Sequence, residues 1–317
     1  QNDYFESCLL GKRVKEYFPG GYMKVDSQWQ IKGIVEKPGP GKEPSDLVNL
    51  VLHLHKNPAI LFKYLAEAKS TKDDLYEVAL DKMMKQGVKM QAIPYEGYWQ
   101  AIKYPWHIRE VAKHFFALTP KHIAPSAEIA KSAIIKGDVV IEEDVKVFER
   151  ATIMGPAYIG KGSVVTSNSL VRDSYIGEDC VIGFSTEVAR SFLGDEVWTH
   201  SNYIGDSIIG HNVSFGAGGV TGNLRFDEGN INVNIKEEKM DSGINKLGLI
   251  TGNNIRVGIN ASFMPGVKIG SNSFVGAGII LTQDIPENSY AVGEVKLKIT
   301  KNKASKPPSR SSLKKKL

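Results

Sequence analysis

The stretch that decides the fold is IAPSAEIAKSAIIKGDVVIEEDVKVFERATIMGPAYIGKGSVVTSNSLV, residues 123–171. Aliphatic residues recur in it every six positions: Ile123, Ile129, Ile135, Ile141, Val147, Ile153, Ile159, Val165 and Val171. A period of six fits neither the 3.6-residue helix nor the two-residue alternation of a half-buried strand. It is the period of a hexapeptide-repeat parallel β-helix, in which each hexad supplies one short strand and one corner. The aliphatic residue points into the prism. The small residue that often follows, as in Ile159-Gly160 and Ile182-Gly183, lets the chain turn. The phase slips by one and resumes at Ile176, Ile182 and Val188, then returns as Val257, Phe263, Ile269, Val275 and Leu281. Three hexads close a coil, so roughly 7–8 coils are expected.

Working outward, residues 120–297 form the β-helix, interrupted at 222–248 by GNLRFDEGNINVNIKEEKMDSGINKLG. That segment is too long and polar for one corner and reads as a loop projecting from the scaffold. Residues 1–119 show another regime. WQIKGIVEK and LVNLVLHLH read as strands, and NPAILFKYLAEA as a helix capped by Asn57 with Pro58 at its first position. TKDDLYEVALDKMMKQG reads as a helix capped by Thr71 and stopped at Gly87, VKMQAIPY as a strand and PWHIREVAKHFFAL as a last helix. Strands alternating with helices indicate an α/β domain.

Composition sets the outer bounds. The 317 residues are 42% hydrophobic and 24% charged, ordinary for a globular chain of about two domains. No apolar run approaches the ~18 residues of a membrane span. With Cys8 and Cys180 as the two cysteines, a disulfide framework is not expected and a reducing cytoplasm is the default. The net charge of +5 includes eight cations from Lys298 onward, so the remainder carries −3. The basic character therefore belongs to a tail, 298–317, expected to be disordered, and no specific nucleic-acid partner is implied. The chain opens on Gln1, not methionine, and is expected to be part of a longer protein.

Chemistry gathers where the repeat breaks. HSNYIGDS, residues 200–207, places His200 and Tyr203 among aliphatic-glycine pairs. FGAGGVTGN, residues 215–223, follows with four glycines before Asn223. A histidine accepts and returns a proton near neutral pH, but a corner histidine can equally be a solvated surface residue. Glycines admit a ligand to the backbone, yet hexapeptide corners prefer small residues in any case. Metal-dependent hydration through three histidines is disfavoured, since only His200 and His211 follow His122.

HSNYIGDSIIGHNVSFGAGGVTGNLRFD and NKLGLITGNNIRVGINASFMPGVKIG resemble the acyltransferase domain of bifunctional sugar-1-phosphate nucleotidylyltransferases, enzymes that acetylate glucosamine-1-phosphate and couple the product to UTP. The resemblance covers most of residues 120–290. It implies a left-handed β-helix, contrary to the usual right-handed crossover, and a homotrimer with sites between subunits. It implies His200 as general base, Tyr203 and Asn223 as sugar-phosphate contacts, and acetyl-coenzyme A against the backbone near Ala277 and Gly278. Bacterial members carry a lysine where Gly229 stands, and lysine is usual in the segment matched by Glu187–Ser191, where Ala189 and Arg190 stand. Arg190 and Arg225 are the cations left to meet a phosphate.

The first domain extends the likeness. In GIVEKP, Glu36 matches a residue that bonds sugar hydroxyls and Lys37 one that meets phosphate, and Asn49 matches a second sugar contact. YWQAIKYPWHI resembles the segment closing that domain, with Ala101 where an acidic metal ligand often stands. The glycine-rich G-x-G-T-R loop that cradles nucleotide phosphates is not found, and GPGKEP is no P-loop, because no Ser or Thr follows Lys42. The expected function is therefore sugar-1-phosphate transfer chemistry of nucleotide-sugar (UDP-N-acetylglucosamine-type) biosynthesis, with acetyl transfer at the β-helix. Nucleotidylyl transfer, with a nucleoside triphosphate and Mg2+, would belong to the complete protein. The competing reading makes the β-helix a non-catalytic trimerisation scaffold.

Overall fold

The structure is a computed structural model and describes residues 5–71, 74–236, 238–294, 298–301 and 303. Most of the basic tail lies outside the described residues. The chain forms two compact units that divide between Trp99 and Gln100.

The first unit is a five-stranded sheet with two helices. Strands β1 (Ser7–Arg13), β2 (Gly21–Val25), β3 (Ile31–Glu36), β4 (Leu47–His55) and β5 (Met90–Pro94) lie in the order β3-β2-β4-β1-β5. β1 runs antiparallel to β4 and parallel to β5. Helix α1 (Pro58–Glu67) begins where the sequence indicates: the Asn57 side chain accepts from the Ala59 N–H at 3.1 Å, and Pro58 needs no intrahelical partner at that position. Helix α2 (Leu75–Lys85) begins later than the Thr71 cap implied, with Asp74 as its N-cap. Its buried face is Ala79, Leu80 and Met83, a 3.6-residue stripe that ends at Gly87 with φ of +85°. Leu80 and Met83 join Leu9, Met23, Ile31, Leu47 and Met90 in the core of this unit.

The second unit is a left-handed parallel β-helix of short strands. Two faces are eight strands deep, and a bridge from Ile269 to Ile285 adds one more rung, so the prism has slightly more coils than the repeat count implied. The extra rung comes from residues beyond Leu281, where proline and polar residues hide the period. Ile159 pairs with Ile141 on one side and Ile176 on the other, followed by Leu193 and Ile209, a stack of inward aliphatics in register. Nearly all the hexad residues are buried in one continuous core. Ile129 and Ile135 are half-buried and Ile123 is 40% exposed, because they lie on the first rungs at the open end.

The phase slip has a structural meaning. A backbone-to-serine bond linking successive coils spans eighteen residues at Asp144–Ser126, seventeen at Ser191–Ser174 and sixteen at Ser207–Ser191. The coils shorten toward the HSNYIGDS segment, and corners are trimmed while strand register is kept. The corners use left-handed backbone at Asp144, Asn168, Asp179, Asp206, Asn212, Asn254 and Asn272, residues whose short polar side chains tolerate positive φ.

The 222–248 segment leaves the prism and returns in register, since Ile208 pairs directly with Ile250 across it. It does not simply project. A hairpin, Asn232–Ile235 with Glu238–Asp241, folds back, and its Ile231 and Val233 pack with Trp106, Ile208, Leu247 and Ile250. Helix α3 (His107–Leu118) also belongs to this unit, so the division falls ahead of the expected 119/120 boundary. Its Ile108 joins that cluster, because the outward faces of Ile208 and Ile250 are apolar and need cover.

Candidate active site

One corner column of the prism carries His200. The Gly218 N–H donates to the Ser201 carbonyl (2.8 Å), the Asn260 N–H to Ala217 (2.9 Å) and the Gly278 N–H to Ile259 (2.8 Å). The acceptor positions stacked along this edge are therefore Ser201, Ala217 and Ile259, with Ala277 next above them, and His200 immediately precedes Ser201 at the bottom of the column. At the inter-strand spacing, three rungs place Ala277 about 14 Å from His200 along the edge. The glycines here are required by packing. A Cβ on Gly216 would fall 2.7 Å from the Ile259 nitrogen, and one on Gly258 would fall 2.6 Å from that of Ala277. Gly278 differs: φ is +69° and nothing lies within 4 Å of the Cβ position, so its outer side is open.

The His200 main chain is fixed on both sides. Its N–H donates to Asn202 Oδ1 at 2.8 Å and its carbonyl accepts from the Thr186 hydroxyl at 2.7 Å. Asn202 is buried and also donates to the carbonyls of Gly216 (2.9 Å) and Gly219 (3.2 Å), tying the corner to the next coil. The imidazole is exposed at this corner.

The other end of strand Tyr203–Gly205 holds a second cluster, centred on a residue that sequence reasoning passed over. Asp206 is fully buried, with φ of +52°. Its Oδ1 accepts from Arg190 Nε (2.8 Å) and Arg109 Nη2 (2.8 Å); its Oδ2 accepts from Arg190 Nη2 (2.6 Å) and Asn223 Nδ2 (2.6 Å). Asn223 Nδ2 lies 3.3 Å from the Tyr203 hydroxyl. The Tyr203 ring folds over Gly205, where a Cβ would meet its hydroxyl at 2.5 Å. The bidentate bond to Asp206 raises the pKa of Arg190, whereas burial lowers that of Arg109. Three residues anticipated from sequence, Tyr203, Asn223 and Arg190, thus meet around a fourth. Arg109 carries no motif signal, since it comes from α3, 97 residues away along the chain.

Arg225 is not part of this cluster. It pairs with Asp227 and donates to the Asn230 carbonyl (3.3 Å) within the excursion, beside a cavity of about 830 Å³ lined also by Phe226, Ile231 and Met264. In the first unit, Glu36 and Asn49 flank Gly21, whose Cβ position is 3.0 Å from Glu36 Oε2 and 3.8 Å from Asn49 Cβ. Lys37 has φ of +43°, and its Nζ lies 3.5 Å from Glu36 Oε1. The Asn49 oxygen is occupied by His53 Nε2 (2.7 Å) and the Val51 N–H (3.2 Å). Among the described residues no cluster of three or more His, Cys, Asp or Glu could hold a metal ion, and none of the helices is long and apolar enough to cross a membrane.

Comparison with known proteins finds relatives that match nearly the whole chain. The bifunctional protein GlmU of Methanococcus maripaludis strain C5 is 33% identical over 312 residues, spanning 94% of this chain and 72% of that protein. The chain belongs to the bifunctional GlmU family of transferases. GlmU of Methanocaldococcus jannaschii is 35% identical over 299 residues, covering 90% of this chain and 69% of the relative. The bifunctional sugar-1-phosphate nucleotidylyltransferase/acetyltransferase of Sulfurisphaera tokodaii is 35% identical over 288 residues, covering 88% and 69%. The GMPPB C-terminal domain family matches residues 118–214, a range that ends just before the glycine corner. The GlmU relatives span the excursion and the following coils as well.

Proposed function

We propose that the β-helix of this GlmU-family chain transfers an acetyl group from acetyl-coenzyme A to the amine of an amino-sugar phosphate. The observation that supports this most is the corner column: an exposed imidazole whose main chain is fixed by Thr186 and Asn202, on an edge with an open glycine at 278. The amine nitrogen attacks the thioester carbonyl, the C–N bond forms and the C–S bond breaks. His200 takes the proton released by the amine and returns it to the departing thiolate. The backbone at Ala277 and Gly278 meets the coenzyme. Tyr203, Asn223 and Arg190 hold the sugar phosphate, and Arg225 stands at the rim of the adjoining cavity. Glu36, Lys37 and Asn49 contact sugar in the nucleotidylyl half of the reaction, which uses a nucleoside triphosphate. Mg2+ would serve that nucleotidylyl step in the complete protein. The protein acts as a cytoplasmic homotrimer in nucleotide-sugar synthesis of the UDP-N-acetylglucosamine type.

The test is a thiol-release assay with acetyl-coenzyme A over a panel of amino-sugar phosphates. Transfer to glucosamine-1-phosphate, with His200→Ala lowering kcat by roughly 10²–10⁴, is the expected result. No transfer to any acceptor, or full activity in His200→Ala, would leave the β-helix as an assembly scaffold.

A further inference from the structure

The cations matched to a phosphate by sequence are sparse: Arg225 pairs with Asp227 away from the cluster, which leaves Arg190. The fold brings another. A cavity of about 310 Å³ opens between α3 and the returning end of the excursion, and Arg109, Lys113, Arg190 and Lys246 line it with Asp206 and Glu110. Four cations against two carboxylates leave this cavity positive.

Asp206 explains why the positive charge is built in and not incidental. Arg190 bonds it bidentately and Asn223 supplies a further donor, so the carboxylate accepts three hydrogen bonds before Arg109 adds its own. Arg109 adds a second guanidinium, only 14% exposed, to a carboxylate already paired. Two half-buried guanidiniums sharing one carboxylate leave a net positive charge facing the cavity, which an entering anion would offset. The Lys246 carbonyl accepts from Arg109 Nη1 at 2.8 Å and aims the guanidinium without neutralising it. The fork geometry of both arginines suits the oxygens of a phosphate.

We propose that this cavity receives the phosphate of the acetyl acceptor, with Arg109 of α3 as the second phosphate-binding cation beside Arg190, and Asp206 as the positioning residue that orients both. The proposal rests on the acetyl-transfer reading and extends it to a specificity determinant: a phosphorylated amino sugar is preferred over its unphosphorylated counterpart because of Arg109.

The experiment compares glucosamine-1-phosphate with glucosamine as acceptors in the unmodified chain, Arg109→Ala and Arg109→Lys. The expected result is a rise of about 10- to 100-fold in KM for the phosphorylated acceptor in Arg109→Ala, as for loss of a charge-assisted bond. The preference for glucosamine-1-phosphate over glucosamine should shrink accordingly, and Arg109→Lys should recover part of the loss. Equal weakening toward both acceptors, or unchanged KM, would overturn the proposal and leave Arg109 as a tether for α3. A second arm titrates inorganic phosphate into the same proteins by calorimetry. Binding that requires Arg109 upholds the phosphate site even if no acetyl is transferred, so failure of the catalytic reading and failure of this one are told apart. Phosphate binding indifferent to Arg109 counts against it.

Discussion

Gly183 lies directly beneath His200: a Cβ on Gly183 would collide with the His200 carbonyl oxygen and fall 2.5 Å from its Cα. The obstructing atoms are backbone, which cannot swing aside as a side chain can. Gly183→Ala should therefore displace the His200 corner. We expect kcat for acetyl transfer to fall at least tenfold and the thermal midpoint to drop by several degrees, read by the thiol assay and by calorimetry.

Gly278→Ala should behave differently, because the Cβ position is open but φ is +69°. A stability cost of about 1 kcal/mol is expected from the strained backbone. If the coenzyme lies on this edge, KM for acetyl-coenzyme A should rise while the KM of the sugar acceptor holds. Unchanged coenzyme affinity would move the binding edge elsewhere.

The first unit contains a directional hydrogen-bond chain. The Ser7 hydroxyl lies 2.7 Å from His55 Nδ1, and His55 Nε2 lies 2.9 Å from the Tyr76 hydroxyl. Tyr76 lies 2.6 Å from His53 Nδ1, and His53 Nε2 lies 2.7 Å from Asn49 Oδ1. With both histidines neutral every bond has one donor and one acceptor; a proton added to His53 Nδ1 would turn the Tyr76 bond donor-to-donor. Burial accordingly pushes the His53 pKa down to about 4, and that of His55 down as well. The folded value lies below the unfolded one, so this stabilisation is complete above about pH 6.5 and is lost as pH falls toward 4. Urea melts should show this unit losing on the order of 1–2 kcal/mol across that window, after allowance for solvent screening. His53→Gln should flatten the slope. An equally steep slope in the variant would exclude His53 as its source.

Phe263 is buried and packs edge-on to Phe215, with ring centroids 6.3 Å apart. It stands at a hexad position normally filled by a smaller aliphatic, at the level where the chain re-enters the prism. Phe263→Ala should cost about 3–5 kcal/mol, measured by denaturant titration. Loss of His200-dependent activity should follow only where unfolding begins.

The apolar side chains of Ile134, Val220 and Ile280 remain exposed on one outward face, and Phe226 extends fully into solvent. Association through such surfaces would bury them in a closed assembly. Light scattering is expected to give about three times the 34.8 kDa chain mass; a single-chain mass at micromolar concentration would remove the trimer from the account.

Period and punctuation were readable without the fold. The hexad aliphatics that sequence marked, from Ile141 to Val188 and from Val257 to Leu281, are core residues, because inward direction in a hexapeptide coil is a local property of the chain. The α1 cap was legible for the same reason: Asn57 and Pro58 act within one turn. The α2 start was not, because Thr71 and Asp74 are both residue types that favour a cap, and packing of Leu80 and Met83 sets the phase. β1 and β2 were unread, as SCLLGKR and GYMKV show no clear alternation.

By itself, then, the sequence determined the β-helix, its interruption and the residues His200, Tyr203, Asn223 and Arg190 as candidates. Tertiary structure alone decided that Asn223 and Arg190 converge on Asp206 with Tyr203 beside Asn223, that Arg109 joins them from α3, and that Arg225 does not. The reason is distance along the chain. A repeat is written in neighbouring residues, whereas a buried carboxylate is satisfied by whichever donors the coils and the covering helix bring to it, and those donors share no spacing that a sequence could display.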